Sequence, residues 1–555
     1  MCIRDRFIKK EKGELNFMTN NQTLVLIILT FIILITLVNV IISIIERRKQ
    51  IAKINTLWDN KLKLESFIRP NSRFDAQYHA YRDHYNEQSF IDDKTWSDLN
   101  MDTLFHKINF NFTAIGEMRL YATLRGMFKV NQTSLINKFK DNKVFRLNVS
   151  YILSKIGKNV YPLFPDQMLP TKRNILLMFC PLLPFIGFAF IFLIPSKGIL
   201  ICLTFMILNA ILSFKLKKSY DQDLKSIFYT ANVIKQSQAL SKIESTPAIS
   251  VDFTHFKASR RFSGLLARVE SQDMASSIIM FIKLVFMIDY VLFHLIQRSY
   301  FKYQEEVMAC YDYISILDNH YSIAMYQHTL THYCNPKINH NMNGLQMKSI
   351  IHPLLDEENA IANTIDISNH ILLTGSNASG KSTFMKAVAL NLILAQSIQT
   401  ATAHSFIYQP GYVMTSMANA DDVLSGDSYF MSELKSIRRL FNTHQCNKIY
   451  CFIDEIFKGT NTTERIAASE SVLSYLDNQK AYQVLAATHD VELSTLLENT
   501  YNNYHFNESI QENSIFFDYK IKPGKANTRN AIELLRITQF PIDIYQRAQQ
   551  NIRNL

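Results

Sequence analysis

The sequence predicts an α + α/β protein: a helical, membrane-anchored core followed by a C-terminal α/β domain of the P-loop type. Two observations carry this. Three apolar runs without a charged residue lie within the first 214 positions, and Gly375–Ser382 reads G-x-x-x-x-G-K-S between a strand pattern and a helix pattern. The chain has 555 residues, room for roughly three or four domains, and 48% hydrophobic residues, enough for sizeable cores. A net charge of +11 suits an anionic partner, whether nucleic acid or an acidic membrane surface. The seven cysteines (Cys2, Cys180, Cys202, Cys310, Cys334, Cys446 and Cys451) form no C-x-x-C pair and no metal-ligand spacing, which suits reduced thiols.

Taken in order, residues 1–23 read as a tail. Its first 17 residues are basic, which fits poorly with an external N-terminus, and Met18 is a plausible start. Leu24–Ile45 is a 22-residue apolar run, long enough to cross a bilayer, and Glu46-Arg47-Arg48-Lys49 places its far end in the cytoplasm. It is too long for a typical signal peptide and lacks a small-residue cleavage site. Residues 46–174 are expected to begin the helical core. Residues 175–214 hold two charge-free runs, Ile175–Ile194 and Ile199–Phe214, around Pro195-Ser196-Lys197-Gly198. Thr171-Lys172-Arg173 before and Lys215-Leu216-Lys217-Lys218 after describe a hairpin that leaves and re-enters the cytoplasm; a buried helical pair is the alternative. Residues 215–345 continue the core. There Ile278–Ile296 is apolar but contains Lys283, Asp289 and His294, so it is expected as one long helix packed in the soluble part.

The nucleotide signal follows. Ile371-Leu372-Leu373 reads as a strand entering the glycine-rich loop, and Phe384 onward as a helix leaving it. Backbone N–H groups of such a loop curl around phosphates, and the helix N-terminus adds a favourable field. The nucleotide-binding candidates are Gly375, Ser376, Asn377, Ala378, Ser379, Gly380, Lys381, Ser382 and Thr383. Lys381 would pair with the β- and γ-phosphates of ATP, and Ser382 would ligate Mg²⁺. Ile449–Ile453 is a buried-strand pattern ending in Asp454-Glu455: Asp454 as the second Mg²⁺ ligand, Glu455 as the base that orients the attacking water. Leu485-Ala486-Ala487-Thr488-His489 is another strand, ending in a histidine placed to sense the γ-phosphate. Lys381, Glu455 and His489 are therefore the catalytic candidates.

The residues around these elements separate two kinds of ATPase. The chain lacks the L-S-G-G-Q and D-E-P patterns of an ABC transporter subunit. It has instead Asp421-Asp422-Val423-Leu424-Ser425-Gly426-Asp427-Ser428-Tyr429-Phe430-Met431-Ser432-Glu433 and Asp454-Glu455-Ile456-Phe457-Lys458-Gly459-Thr460. These resemble the MutS family patterns D-D-L-x-x-G-x-S-x-F-M-x-E and D-E-I-x-x-G-T. His352-Pro353-Leu354 with Asn363, Ala487-Thr488-His489 with Glu492-Leu493, and Tyr519-Lys520-Ile521-Lys522-Pro523-Gly524 resemble further segments of that family. Upstream, Thr113 and Gly116 with Leu120 and Leu124 resemble the opening of its helical core. The resemblance is dense from about 345 to 550 and thin from about 95 to 340.

It implies an ATPase domain over 346–530, dimerisation helices over 531–555, and a homodimer in which each ATP lies between subunits. Ser425, Gly426 and Ser428 would reach the partner's nucleotide, Ser428 meeting its γ-phosphate, while Asp427 and Glu433 hold that helix in place. The Ile542–Ile552 helix would brace the dimer. Ser376, Ala378 and Ser379 replace the family's usual P, M and G. Ala360 stands where many members carry an aromatic residue beside the adenine. An F-x-E mismatch-reading domain before residue 95 and a C-terminal nuclease module are not expected. For DNA phosphates, Lys138–Lys143 and Arg260-Arg261 are candidates, with a solvated helix face as the alternative. The resulting expectation is a MutS-like ATPase in the cell (inner) membrane, its bulk cytoplasmic, using ATP and Mg²⁺ and acting on DNA as in mismatch repair or another DNA transaction. An ABC-like transport or remodelling ATPase, or a nucleotide-dependent scaffold, is the alternative.

Overall fold

The computed structural model describes most residues from 40 to 554 and a few before them. Residues 64–78, most of 80–90, 131–132, 159–167, 267–273, 377–378, 418–428, 442–447, 512–513 and 527–530 lie outside the description. So do the expected tail 1–23 and much of the expected membrane helix 24–45. What is described shows a helical N-terminal part and a mixed α/β C-terminal part.

A continuous helix covers 40–59. Its first turns carry exposed Val40, Ile41, Ile44 and Ile45, whereas Ile54, Leu57 and Trp58 are buried. Trp58 lies between the His328 ring, stacked at 4.8 Å, and the Arg146 guanidinium at 4.1 Å. One rod thus joins an apolar exposed end to the helical core.

That core is built on the helix Gln304–Thr329, buried along most of the stretch from Val307 to Gln327. Its Asp318 carboxylate accepts from the backbone N–H groups of Phe112 and Thr113 at 2.9 and 2.8 Å and from the Thr113 hydroxyl at 2.6 Å. The Thr113 hydroxyl oxygen in turn caps the helix Ala114–Leu124 by accepting from Gly116 N–H at 3.0 Å. Gly116 is required sterically: a Cβ there would overlap the Asp318 carboxylate. Beside it, Lys158 and Glu117 form a buried pair at 2.6 Å, with the Asn109 amide also donating to Glu117.

The hairpin is present as helices Ile175–Phe179, Leu183–Leu193 and Pro195–Ser219, joined by a short 3₁₀ turn, Cys180–Leu182. Three membrane crossings were expected; one helix among the described residues, Ser196–Ser219, is long and apolar enough to cross a bilayer, and it is almost wholly exposed. Its 24 residues span about 36 Å at 1.5 Å per residue, against about 30 Å of hydrocarbon. Ile175–Ile191 is apolar but shorter, and it includes the 3₁₀ turn at Pro181. Gly187 lets the two arms touch: a Cβ there would meet the Cys202 backbone.

The run Ile278–Ile296 is not the single buried helix expected. It breaks at Met287, whose φ is +46°, into Met274–Val285 and Ile288–Lys302, bent by 76°. Lys283 and Asp289 pair at 2.9 Å, so the two charges satisfy each other and need no soluble interior. Ile279, Met280, Phe281 and Ile282 are exposed and continue the apolar surface of the hairpin, whereas Phe293, Ile296 and Tyr300 are buried in the core. Asn209 ties the pieces together, its amide donating to the Cys180 and Val285 carbonyls at 2.8 and 2.9 Å.

The described residues of the C-terminal part form ten strands: β1 (Lys337–Ile338), β2 (Leu345–Ile350), β3 (Asn363–Ile367), β4 (His370–Thr374), β5 (Ser405–Tyr408), β6 (Tyr412–Ser416), β7 (Ile449–Asp454), β8 (Tyr482–Ala487), β9 (Tyr501–Gln511) and β10 (Ser514–Pro523). One sheet has the order β1-β5-β2-β3, the other β10-β9-β4-β8-β7-β6. In the second, all neighbours run parallel except β10 with β9. β4, β7 and β8 are apolar and buried on both faces, the pattern of strands covered by helices on each side. The helical core is joined to this domain by Gln327 donating to Thr400 Oγ1 at 2.8 Å and by Asp98, which accepts from Thr415 Oγ1 at 2.8 Å and Met417 N–H at 3.1 Å.

Replacing Asp318 with Ala leaves three buried donors without an acceptor and is expected to destabilise the fold by about 3 kcal/mol or more. Gly116→Ala should act in the same direction. Urea unfolding followed by circular dichroism measures both, and a loss under about 1 kcal/mol for Asp318→Ala would contradict this account.

Candidate functional site

The C-terminal ends of β4, β8 and β7, adjacent in that order, deliver the candidate residues to one crevice, the usual place for a ligand in an open parallel sheet. β4 runs into the loop 375–380, where Gly375 (φ +140°) and Gly380 (φ +101°) take conformations that side chains disfavour. The helix Lys381–Ile398 follows at once. Lys381 is buried and folded back, donating to the carbonyls of Gly375 at 2.7 Å and Ser376 at 2.9 Å; burial holds its pKa down at about 8. Ser379 Oγ donates to the Ser376 carbonyl at 2.7 Å, and the Ser376 hydroxyl meets Glu508. Asn377 and Ala378 lie outside the described residues, as do Ser425, Gly426, Asp427 and Ser428.

The Asp454 carboxylate stands at the end of β7; burial raises its pKa, and the neighbouring Ser382 side chain opposes that rise. Glu455 and Phe457 then take positive φ of 56° and 57°, a tight turn pinned by Glu455 N–H donating to Ala487 O at 3.0 Å. This turn aims the Glu455 side chain at the end of β8. His489 Nε2 donates to Glu455 Oε1 at 2.7 Å and lies 3.4 Å from Lys381 Nζ. A carboxylate only accepts, so Nε2 carries the proton in this contact. The hydrogen bond from His489 is the main reason that Glu455 is pulled down to about 2; Lys458, with Nζ 2.5 Å from Oε2, adds to the effect. Lys381, Ser382, Asp454, Glu455 and His489 are thus gathered at one point. Glu433 is buried and accepts from Gly459 N–H at 3.1 Å, holding its helix, Tyr429–Leu440, against the Asp454 loop.

Beside this point is a cavity of about 310 Å³, lined by His352, Ala360, Thr383, Phe384, Phe506 and Tyr519 among others. Ala360 carries no aromatic ring, but Tyr519 does, and it lies against Gly380, where an added Cβ would come within 3.0 Å of the ring. Asn363 fixes the tyrosine: its amide donates to Tyr519 O at 3.0 Å and its carbonyl oxygen accepts from Ile521 N–H at 2.9 Å. Sequence reasoning listed Tyr519 within a motif without placing it at the cavity. It likewise listed Lys458 within a motif without giving it a role, and it missed Arg465 altogether. Arg465 makes a double contact with Asp490, at 2.8 and 2.6 Å, which anchors the residue after His489 to the helix Thr462–Asp477. No local pattern pairs positions 465 and 490.

The basic candidates for DNA are partly committed elsewhere. Lys140 donates to Gln327 Oε1 and Tyr333 OH, both at 2.9 Å, Lys138 sits 5.1 Å from the Phe145 ring centre, and Arg260 donates to Phe253 O at 2.8 Å.

Comparison with known proteins fits this geometry. Residues 371–555 match the family model described as MutS domain V. Over this segment the chain is similar to the MutS family. It is 28% identical over 279 residues to the DNA mismatch repair protein MutS of Streptococcus pneumoniae serotype 19F (strain G54), a match covering 48% of this chain and 33% of that protein. The DNA mismatch repair protein HexA of Streptococcus pneumoniae serotype 4 gives the same identity and coverage. For the DNA mismatch repair protein MutS of Caldanaerobacter subterraneus subsp. tengcongensis it is 28% over 252 residues, or 44% of this chain and 29% of that one. The chain spans about a third of the length of the curated MutS relatives it matches.

Arg465→Ala should cost about 2 kcal/mol, the loss of a charge-assisted double contact that leaves Asp490 unpaired. Arg465→Lys should recover less than half, since an ammonium cannot reproduce the planar fork. Denaturant titration of the three proteins tests this; full recovery by lysine would refute the geometric argument.

Proposed function

We propose that this chain is a membrane-anchored MutS-like ATPase, in which ATP binding and hydrolysis drive a conformational change in a homodimer acting on DNA. The observation that carries the reading is the convergence of Lys381, Ser382, Asp454, Glu455 and His489 at the ends of three adjacent parallel strands, next to the Tyr519 cavity. The cavity takes the adenine, against Tyr519 and Phe384. Lys381 exchanges its two carbonyl acceptors for the β- and γ-phosphates. The buried Asp454 carboxylate and the Ser382 hydroxyl are hard oxygen donors in contact, a pair that fits Mg²⁺. The bound ion supplies charge neutralisation at the phosphate oxygens.

Glu455 orients the attacking water. While His489 and Lys458 both hold it, its low pKa makes it a poor proton acceptor, since a general base works best near the operating pH. Hydrolysis therefore requires one of these contacts to loosen, and His489, reaching towards the γ-phosphate, is the residue that trades partners. Residues 425–428 supply the partner subunit's contribution, and the exposed Ile542 and Ile544 on the helix Ile542–Asn554 supply apolar surface to the dimer. The hairpin around Ser196–Ser219 anchors the protein in the cell membrane, with its bulk on the cytoplasmic side. A second reading, in which the motor serves the membrane without DNA, is favoured by one observation: Lys140 and Arg260 already have internal acceptors.

ATP hydrolysis by the detergent-solubilised protein, measured with plain, mismatched and branched DNA across a salt series, decides between the two. Stimulation by one DNA form, abolished in Lys381→Ala, is the expected result; indifference to every DNA at low salt would sink the DNA reading. Glu455→Gln should keep ATP binding and lose roughly 100-fold or more in turnover. Tyr519→Ala should weaken ATP binding by about tenfold, in line with loss of an aromatic contact worth about 1–1.5 kcal/mol, and unchanged affinity would exclude the stacking role.

A further inference from the structure

A second cavity, of about 440 Å³, lies where the chain enters the hairpin, between residues 170–173 and the helix Ile288–Lys302. It is lined by Thr171, Arg173, His294, Gln297, Arg298 and Phe301, with no carboxylate among the described residues that line it. Arg173 and Arg298 are exposed, and neither forms a salt bridge among the described residues. Two unpaired guanidinium groups lining one hollow repel each other, and an anion placed between them removes that cost. Gln297, buried in the wall, is held by the Thr171 hydroxyl, which donates to its carbonyl oxygen at 3.0 Å. The backbone N–H of Asn174 is held in turn by Tyr290 OH at 3.1 Å, so the segment leading into the hairpin is fixed to the cavity wall.

The position of the cavity selects the anion. Exposed Ile175, Leu176 and Phe179 begin directly after Arg173, and Lys215, Lys217 and Lys218 close the other arm of the hairpin at the same end, because the two arms are antiparallel. The hollow therefore sits where the apolar surface gives way to the basic rim, the depth of lipid headgroups. We propose that this pocket binds the phosphate of an anionic phospholipid headgroup, with Arg173 and Arg298 as its phosphate ligands and the acyl chains lying along the apolar face of the hairpin and the helix Met274–Val285. The inference rests on the reading that the hairpin lies in a bilayer.

The full chain is reconstituted in nanodiscs of phosphatidylcholine alone and of phosphatidylcholine with phosphatidylglycerol, and the protein-bound fraction of spin-labelled phosphatidylglycerol is compared with that of spin-labelled phosphatidylcholine. Wild type should prefer phosphatidylglycerol, and R173Q/R298Q should lower that preference by roughly thirtyfold, at about one kcal/mol per basic residue. R173K/R298K should restore only part of it, because diffuse charge is kept and the planar fork is lost. A chain that fails to enter phosphatidylcholine nanodiscs would refute the membrane reading itself. Insertion with a preference equal in wild type and R173Q/R298Q, or complete rescue by the lysine pair, would overturn the pocket. Displacement of the labelled lipid by inorganic phosphate or by duplex DNA would also overturn it, in favour of a soluble phosphate or a nucleic-acid backbone.

Discussion

The buried carboxylate of Asp318 is the constraint on which the helical part depends. Burial pushes its pKa up to about 6, yet three donated hydrogen bonds keep it ionised at neutral pH. Those donors come from the turn 112–113, just over two hundred positions earlier in the chain. One side chain therefore fixes the start of the helix Ala114–Leu124 against the middle of the helix Gln304–Thr329. The same long helix holds Trp58 through His328 and reaches the α/β domain through Gln327 and Thr400. A displacement felt at any of these contacts is transmitted along one rigid rod.

The α/β domain is governed by a different constraint. Parallel strands need crossovers, and the crossovers place every loop after a strand at the same edge. This is why residues as far apart as 381, 454 and 489 meet. The detail of the meeting is set by backbone strain: a positive φ at Glu455 costs of order 1 kcal/mol and is maintained because its N–H is tied to β8 and its side chain to His489 and Lys458. The consequence is chemical. A carboxylate with two cation-capable partners is well oriented but weakly basic, so orientation and activation are separated in this arrangement.

Much of this was legible in the sequence, and the reasons differ by element. The glycine-rich loop is readable because only glycine tolerates the backbone at 375 and 380. The strands before Asp454 and His489 are readable because burial on both faces demands unbroken apolar runs. The Asp318–Gly116 contact, the Arg465–Asp490 pair and the place of Tyr519 were not readable, since each depends on which distant segments become neighbours. The bend at Met287 escaped for another reason. Periodicity and composition describe Ile278–Ile296 as one apolar run, and nothing local marks the residue at which it turns by 76°.

That bend connects the exposed apolar surface of the hairpin to the helical core. The arm Ile288–Lys302 is packed in the helical core, while the arm Met274–Val285 lies against the hairpin and shows its apolar side chains outward. Between them Asn209 bonds both to the start of the hairpin and to the last turn of the outer arm, and Lys283 and Asp289 close the corner. Polar contacts of this kind strengthen where water is excluded, so the corner would be stiffer in a lipid setting than in water. The core helix Gln304–Thr329 begins directly after the inner arm. A movement of this helix can therefore reach the hairpin only through the break at Tyr303 and the corner at Met287, and the corner is the better tied of the two.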